Sequence, residues 1–421
     1  MTVVLRNVHP IGVDRGAVDV RIDEGAVSEV APSLDARSAD VLEGGGGLVL
    51  PAFVNIHVHL DKCFTRDDAS PSAAPRLDDS VRETWHLKRS YTVDGIVERA
   101  SRAVTEALLH GTTTIRAFAD VDPIGGTRPV EGLCALRERW RDRVTIEVVA
   151  FPQEGLLRSP GTAELMEEAM AIGADVVGGM PWFEHSDEDA RRHVDFCLDL
   201  AERHDADVHM LADDTDDPTS RSLEHLAVQT DRRGLHGRVA ASHCGALSAY
   251  DDSHAARVVD LVAKAQMTIV SNSHISLVFG GRSDRGRIRR GTTRLRELRE
   301  AGVNLAAAQD DVYDPYYPFG RNDQLEVAQY MCHVAQLVAP ADVDFALSMV
   351  TGNAARAMRI SGYGLERGCV ADLVVYDAPT ATEALRRMEP PRLVLRRGEV
   401  VAENIRRIQL SPPADPTNTR T

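Results

Sequence analysis

None of the six cysteines, at 63, 134, 197, 244, 332 and 369, stands in a C-x-x-C pair, so the 421-residue chain offers neither a disulfide framework nor a zinc ribbon. Reduced thiols are expected. No stretch approaches the roughly 20 apolar residues that span a bilayer, and the opening Met1-Thr-Val-Val-Leu-Arg-Asn-Val-His-Pro lacks a basic segment leading into an apolar one. These absences predict a cytoplasmic protein. Positive charge is also short, with 48 Lys plus Arg against 64 Asp plus Glu and a net charge of -16. A broad polyphosphate-binding surface is thereby disfavoured, which sets nucleic acid aside in favour of a small neutral or cationic ligand. Lysine itself is nearly missing and occurs only at 62, 88 and 264. The expected partners are a small molecule and, in a homo-oligomer, further copies of the chain, with no nucleic acid and no membrane.

What is present belongs to a folded globular protein, 43% hydrophobic and 27% charged. From about residue 51, short β-branched runs alternate with longer amphipathic stretches rich in Arg, Glu and Ala, the pattern of repeated βα units around a parallel sheet. Eight strands are predicted: 53–60, 113–119, 145–151, 175–179, 207–211, 238–243, 268–272 and 304–309. Helices are expected between them, among others over 93–109, 163–172, 187–204, 255–264 and 293–301. Eight such units have the size of a (β/α)8 TIM-type barrel. A doubly wound open sheet is the alternative, lowered because no G-x-G-x-x-G follows the first strand. The two ends share another texture, Val18-Asp-Val-Arg-Ile-Asp-Glu-Gly-Ala-Val near the start and Leu393-Val-Leu-Arg-Arg-Gly-Glu-Val-Val near the finish. Residues 1–50 and 360–410 are therefore expected to form one small β-sandwich domain beside an α/β barrel over 51–359. The Pro-, Asp- and Thr-rich residues 411–421 are expected to be a mobile tail.

The strongest local signal is His57-Val-His59 at the end of the first barrel strand. Residues i and i+2 of a strand share a face, and the C-terminal ends of barrel strands are where such folds keep reactive groups. Two histidines merely packed at a strand end would look the same, but the companions argue otherwise. His209 ends the fifth strand, His243 the sixth and Asp310-Asp311 the eighth, so imidazoles and carboxylates recur at one rim. His57, His59, His209 and Asp310 make a candidate set of three neutral donors and one anionic donor for a single Zn2+ or Fe2+, with His243 close by but uncoordinated.

Gly47-Leu-Val-Leu-Pro-Ala-Phe-Val-Asn-Ile-His-Val-His resembles the first-strand signature of the amidohydrolase superfamily, with Ala52 where glycine is usual. Ala150-Phe-Pro-Gln-Glu-Gly, Asp207-Val-His, Ala241-Ser-His, Asp310-Asp-Val-Tyr-Asp-Pro-Tyr-Tyr-Pro-Phe-Gly and Ala371-Asp-Leu-Val-Val-Tyr extend the resemblance, in order, to the cytosine deaminase group within it. The resemblance implies a barrel with a flanking β-sandwich, one Fe2+ or Zn2+, and hydrolysis at a ring carbon bearing an exocyclic amine. By the same resemblance, His243 would hydrogen-bond the attacking water, Gln153 would read the ring edge, Asp311 would line the pocket, and Phe151 and Tyr316 would be pocket aromatics. Lys62, Trp182 within Met180-Pro-Trp-Phe-Glu, Asp311 and Tyr316 are the residues expected to choose the ring.

Two departures bear on the chemistry. The family's proton-shuttling glutamate stands three residues after the fifth-strand histidine, where this chain has Ala212. Counting back from Ser220-Arg221 and His243 aligns Asp214 with it, and Asp213 is a close second; a solvated turn is the other reading of the pair. Lys62 is absent from cytosine deaminase but is shared with the N-isopropylammelide isopropylaminohydrolases. Such a lysine could hydrogen-bond a ring carbonyl or an anionic ring more oxidised than cytosine, or it could form a salt bridge with Asp61 or another acid. Binuclear relatives such as hydantoinases bridge two metals with a fourth-strand lysine, and no lysine lies between Lys88 and Lys264. Three readings follow: release of ammonia or a small amine from an N-heterocycle of pyrimidine, triazine or related type; hydrolysis of a cyclic or acyclic amide; and a non-catalytic ligand-binding barrel. The last would predict loss of a metal ligand.

Overall fold

Strands form at the N-terminus where apolar residues alternate with polar ones or are covered on both sides. A computed structural model describes residues 2–12, 16–70, 77–282, 284–286, 289–290 and 292–410, so the expected tail over 411–421 lies outside the described residues. The first four strands are β1 (Thr2–Pro10), β2 (Val18–Asp23), β3 (Ala26–Ala31) and β4 (Asp40–Pro51). Only Ala52 separates β4 from the first barrel strand.

The barrel strands are β5 (Phe53–Val58), β6 (Thr112–Asp120), β7 (Thr145–Phe151), β8 (Val176–Gly179), β9 (Asp207–Ala212), β10 (Val239–His243), β11 (Thr268–Ser271) and β12 (Asn304–Ala307). They pair in parallel, each with its neighbour in the chain, as one eight-stranded sheet. Nearly every residue of β5, β6 and β8 is buried, as a parallel sheet clad in helices requires. The outer ring includes α1 (Leu77–Lys88), α2 (Val93–Leu109), α3 (Arg128–Trp140), α4 (Thr162–Ile172), α5 (Asp187–His204), α6 (Ser222–Arg233), α7 (Asp252–Lys264), α8 (Ser273–Phe279) and α9 (Leu295–Glu300). In α2 the Thr92 hydroxyl accepts the Gly95 N–H at 3.1 Å, capping the start, and Ile96, Ala100, Ala103, Val104 and Ala107 form the buried stripe.

The seam between β5 and β12 closes the barrel. It is made by a parallel bridge of Val58 with Asp310, in which the Asp310 N–H donates to His57 O at 2.9 Å and the His59 N–H to Asp310 O at 2.8 Å. Lower on β5, the Asn55 side chain substitutes for missing ladder partners: its Oδ1 accepts the Gln309 N–H and its Nδ2 donates to Asn322 Oδ1. The β5–β6 register shifts between Asn55 and Val58, so β5 is irregular where His57 leaves it.

After the barrel, β13 (Leu373–Tyr376), β14 (Leu393–Arg396) and β15 (Glu399–Glu403) return to the N-terminal strands. The order β15-β14-β13-β4-β1-β2-β3 makes one mixed sheet from both chain ends. Its edge strand β3 bridges at Ala26 to Val370, just before β13, so the sheet folds round a core of Leu5, Val20, Val49, Leu373 and Leu395. Among the described residues no helix is long and apolar enough to cross a membrane.

Candidate active site

His57 Nε2, His59 Nε2 and Asp310 Oδ1 form a nearly equilateral triangle. Its edges are 3.3 Å between the imidazoles, 3.2 Å from His57 to Asp310 and 3.4 Å from His59 to Asp310. Donors about 2.0–2.1 Å from a tetrahedral cation stand about 3.3–3.4 Å apart, so the triangle has the dimensions of one face of such a coordination shell. The protonation states agree. Burial pushes His57 and His209 down and takes His59 to about 3, keeping the rings neutral. Asp310 is held well below the usual carboxylate range, because the hydrogen bonds from His57 and His59 and the charge of His243 outweigh the penalty of burial. Neutral imidazoles beside an ionised carboxylate are the donors a divalent first-row cation takes.

The fourth predicted donor stands one ring further away. The His209 ring centroid is 5.3 Å from that of His57, and its Nε2 lies 2.7 Å from Ser242 Oγ, whose other neighbour is His57 Nδ1 at 2.6 Å. Ser242, inside the quoted Ala241-Ser-His, thus holds two of the predicted donors. His243, in the left-handed region at φ 66°, sits between two acids, with Nδ1 3.2 Å from Asp214 Oδ1 and Nε2 3.4 Å from Asp310 Oδ2. Burial opposes its charged form, but these two carboxylates raise its pKa to about 9.

Asp213 does not join them. Its Oδ1 accepts the Ser220 and Ser222 hydroxyls and the Ser222 N–H, and its Oδ2 accepts the Leu223 N–H and the Tyr250 hydroxyl. Both oxygens are consumed in capping α6, which corrects the expectation that either aspartate could serve. The cause is local: β9 stays paired with β10 through Ala212, then Asp213 turns left-handed at φ 50° and delivers only Asp214 to the site.

A cavity of about 330 Å³ opens above the triangle, lined on its inner side by His59, Lys62, Gln153, Asp214, His243 and Asp311. Trp182 and Tyr316 also face it. Phe151 does not: it packs behind His59, with ring centroids 5.5 Å apart, and edge-on against Phe118. Phe118, which sequence reasoning missed, stacks on His57 at 4.0 Å, so the two phenylalanines orient imidazoles and do not touch the cavity. Trp182 is placed by its loop. His193 accepts the Met180 N–H at Nε2 and lies 2.7 Å from Glu184 at Nδ1, while Glu184 accepts the N–H groups of Leu156, Leu157 and Arg158. Asp311 and Asp314 are buried together; burial with the neighbouring carboxylates raises Asp311 well above its ordinary value, and burial brings Asp314 to about 6.

Lys62 is buried and donates to Asp120 Oδ1 at 2.9 Å and to Gln153 Oε1 at 3.0 Å. Its charge is therefore already paired, by Asp120 and not by Asp61. An ammonium has no lone pair, so the amide oxygen of Gln153 must face it and Nε2 must face away, 3.4 Å from Met180 Sδ. Behind Asp120 lies Lys88, 2.7 Å from its Oδ2 and 2.8 Å from both Asp122 Oδ2 and Glu154 Oε1. Sequence reasoning singled out Lys62 and passed over Lys88, although their shared rarity was the available signal.

Comparison with known proteins accords with this geometry. The amidohydrolase family pattern matches residues 84–402. A pterin deaminase of Rhizobium rhizogenes is 30% identical over 400 residues, covering 92% of this chain and 88% of that protein. The crystal structure of 5-methylcytosine deaminase from Klebsiella pneumoniae, liganded with 5-fluorocytosine, superposes with a TM-score of 0.92 at 30% identity, covering 98% of this chain and 100% of that one. N-isopropylammelide isopropylaminohydrolase from Burkholderia multivorans gives 0.84 at 28% identity, over 96% and 99% of the two chains. With its matched span, its closed barrel and its end-built sheet, the chain belongs to the amidohydrolase family.

Proposed function

We propose that this chain is a mononuclear metal-dependent hydrolase that releases ammonia or a small amine from a neutral N-heterocycle of pyrimidine, triazine or pterin type. The observation that carries the reading is the donor triangle at the floor of a ring-sized cavity, flanked by the paired Asp214 and His243. His57, His59 and Asp310 would hold Zn2+ or Fe2+, and His209 would join as a fourth donor by exchanging its contact with Ser242 Oγ for the ion. A bound divalent cation supplies the Lewis acidity that makes water nucleophilic near neutral pH.

The chain's own groups do the rest. Lys62 and Gln153 grip the ring edge, and Trp182, Tyr316 and Asp311 bound it. As oxygen adds to the amine-bearing carbon, His243 donates to the oxygen that gains charge, an electrostatic role suited to a ring held protonated. Asp214 takes the proton from the attacking water and returns it to the exocyclic nitrogen, after which the C–N bond breaks and the amine leaves. A cytoplasmic setting agrees with six free cysteines, and exposed Phe319 and Val338 suit the proposed homo-oligomer. Neither a nucleic acid nor a membrane is invoked.

The test is a panel of aminopyrimidinones, aminotriazines and pterins assayed for ammonia, with metal analysis of the same preparation. One divalent ion per chain and ammonia from at least one ring are expected. Asp310→Asn should remove the metal and turnover together, and Asp214→Asn should lower kcat by about 10²–10⁴-fold with metal retained. Amide cleavage without ammonia from any ring would transfer the assignment to hydrolysis of cyclic or acyclic amides.

A further inference from the structure

Two of the three lysines in the chain are fully buried in one cluster with Asp61, Asp120, Asp122 and Glu154. Its contacts close into a ring. Lys88 holds Glu154 Oε1, the backbone joins Glu154 to Gln153, Gln153 Oε1 accepts from Lys62, Lys62 holds Asp120 Oδ1, and Asp120 Oδ2 returns to Lys88. Asp61 is tied in from the side, where its Oδ2 accepts the Asp120 N–H at 2.9 Å. In such a ring no member can rotate without breaking a neighbour's contact.

Counting protons gives each lysine a distinct part. Lys88 donates to Asp122 and Glu154, pairs by charge with Asp120 Oδ2 at 2.7 Å and does not line the cavity, so it has nothing to offer a substrate. Lys62 has three protons and commits two, leaving one for the cavity it lines. Gln153 has its oxygen committed and its N–H groups free of any strong acceptor. The cavity therefore meets a ring with two neighbouring donors.

The geometry points to Lys88 as a positioning residue for ring recognition: through Asp120 and Glu154 it fixes Lys62 and the facing of the Gln153 amide, so that the site selects neutral rings presenting two adjacent acceptors. An N–C=O edge is such a pair. Four carboxylates against two ammonium groups leave no surplus positive charge here, which disfavours an anionic ring. The inference rests on the proposed deaminase reading for its substrate, but not for the arrangement of its side chains.

Two measurements on the metal-loaded enzyme separate these. The first compares kcat/KM for cytosine with that for 4-aminopyrimidine, the same ring without its carbonyl. The second is the crystal structure of the Lys88→Met, Glu154→Gln double variant, which removes one buried charge of each sign. The variant is expected to lose the Lys62–Gln153 contact and to narrow the cytosine preference by about tenfold, the loss of one charge-assisted hydrogen bond, through KM and with metal content kept. A purely structural Lys88 would instead behave like Leu133→Ala in the core of α3, losing thermal stability with the preference intact. Retention of the contact, or an unchanged preference, overturns the proposal. If the parent deaminates neither ring, the deaminase reading falls for this substrate class and the crystallographic contact alone decides the role of Lys88. Should the double variant not fold, Lys88→Arg keeps the charge but changes the donor geometry, and the same two outcomes apply to it.

Discussion

Asp311 and Asp314 show how burial sets the chemistry of a single group. Asp314 Oδ1 accepts the Tyr316 and Tyr317 N–H groups, both at 2.9 Å, while its Oδ2 is buried with no hydrogen-bond partner among the described residues. Both carboxyls are raised, Asp314 to about 6. Folded Asp314 thus keeps a proton that the unfolded chain releases near pH 4, so this stabilising contribution is complete below about pH 4 and is lost as pH rises through about 6. Asp314→Asn keeps the acceptor and supplies a permanent donor to Asp311. Relative to the parent, the variant should gain roughly 1–3 kcal/mol of stability between pH 4.5 and pH 7.5, read from urea midpoints at the two values. A difference that does not change with pH would show that the pair ionises freely. At this scale the sequence was least legible. Nothing in Asp213-Asp214 says which residue turns left-handed, and nothing in Phe118 and Phe151 says that both face imidazoles and not the cavity.

An element is a better unit for reading the chain. All eight barrel strands lie within two residues of their predicted ends, because each is a short, largely apolar run that is almost wholly buried and bounded by turns or helices. The predicted rim of histidines and acids follows directly, since strand ends in a closed barrel share one side. What the strand pattern could not convey is the rotation of a helix, and Lys88 reaches the site only because the last turn of α1 points it inward. Helix starts carry a separate prediction. Asp213 closes the N-terminal end of α6 with contacts to both oxygens, so Asp213→Ala should lower stability by about 2–4 kcal/mol in thermal unfolding. Asp214→Ala, which removes no cap, should cost less than about 1 kcal/mol. Equal losses would place both aspartates in the scaffold.

For the molecule as a whole, the closing seam and the donor triangle are built from the same residues. His57 and His59 supply the β5 side, and Asp310, at φ 68°, supplies the other through both its backbone and its carboxylate. A cation gripped by all three would clasp the seam. Chelation is then expected to speed amide hydrogen exchange in residues 54–60 and 304–311 more than in β7 and β8, where strand pairing is continuous. Uniform exchange across all strands would mean that the seam holds without the ion. There is also a consequence for the order of synthesis. The acidic corner of the triangle follows its histidine corners by about 250 residues, a long loop to close. A ribosome-bound chain that has made the first seven barrel strands therefore has imidazoles but no anionic donor and no closed wall. If the triangle holds the metal, loading would wait for the last strand, and cells that run short of metal would accumulate full-length apoenzyme and not arrested fragments.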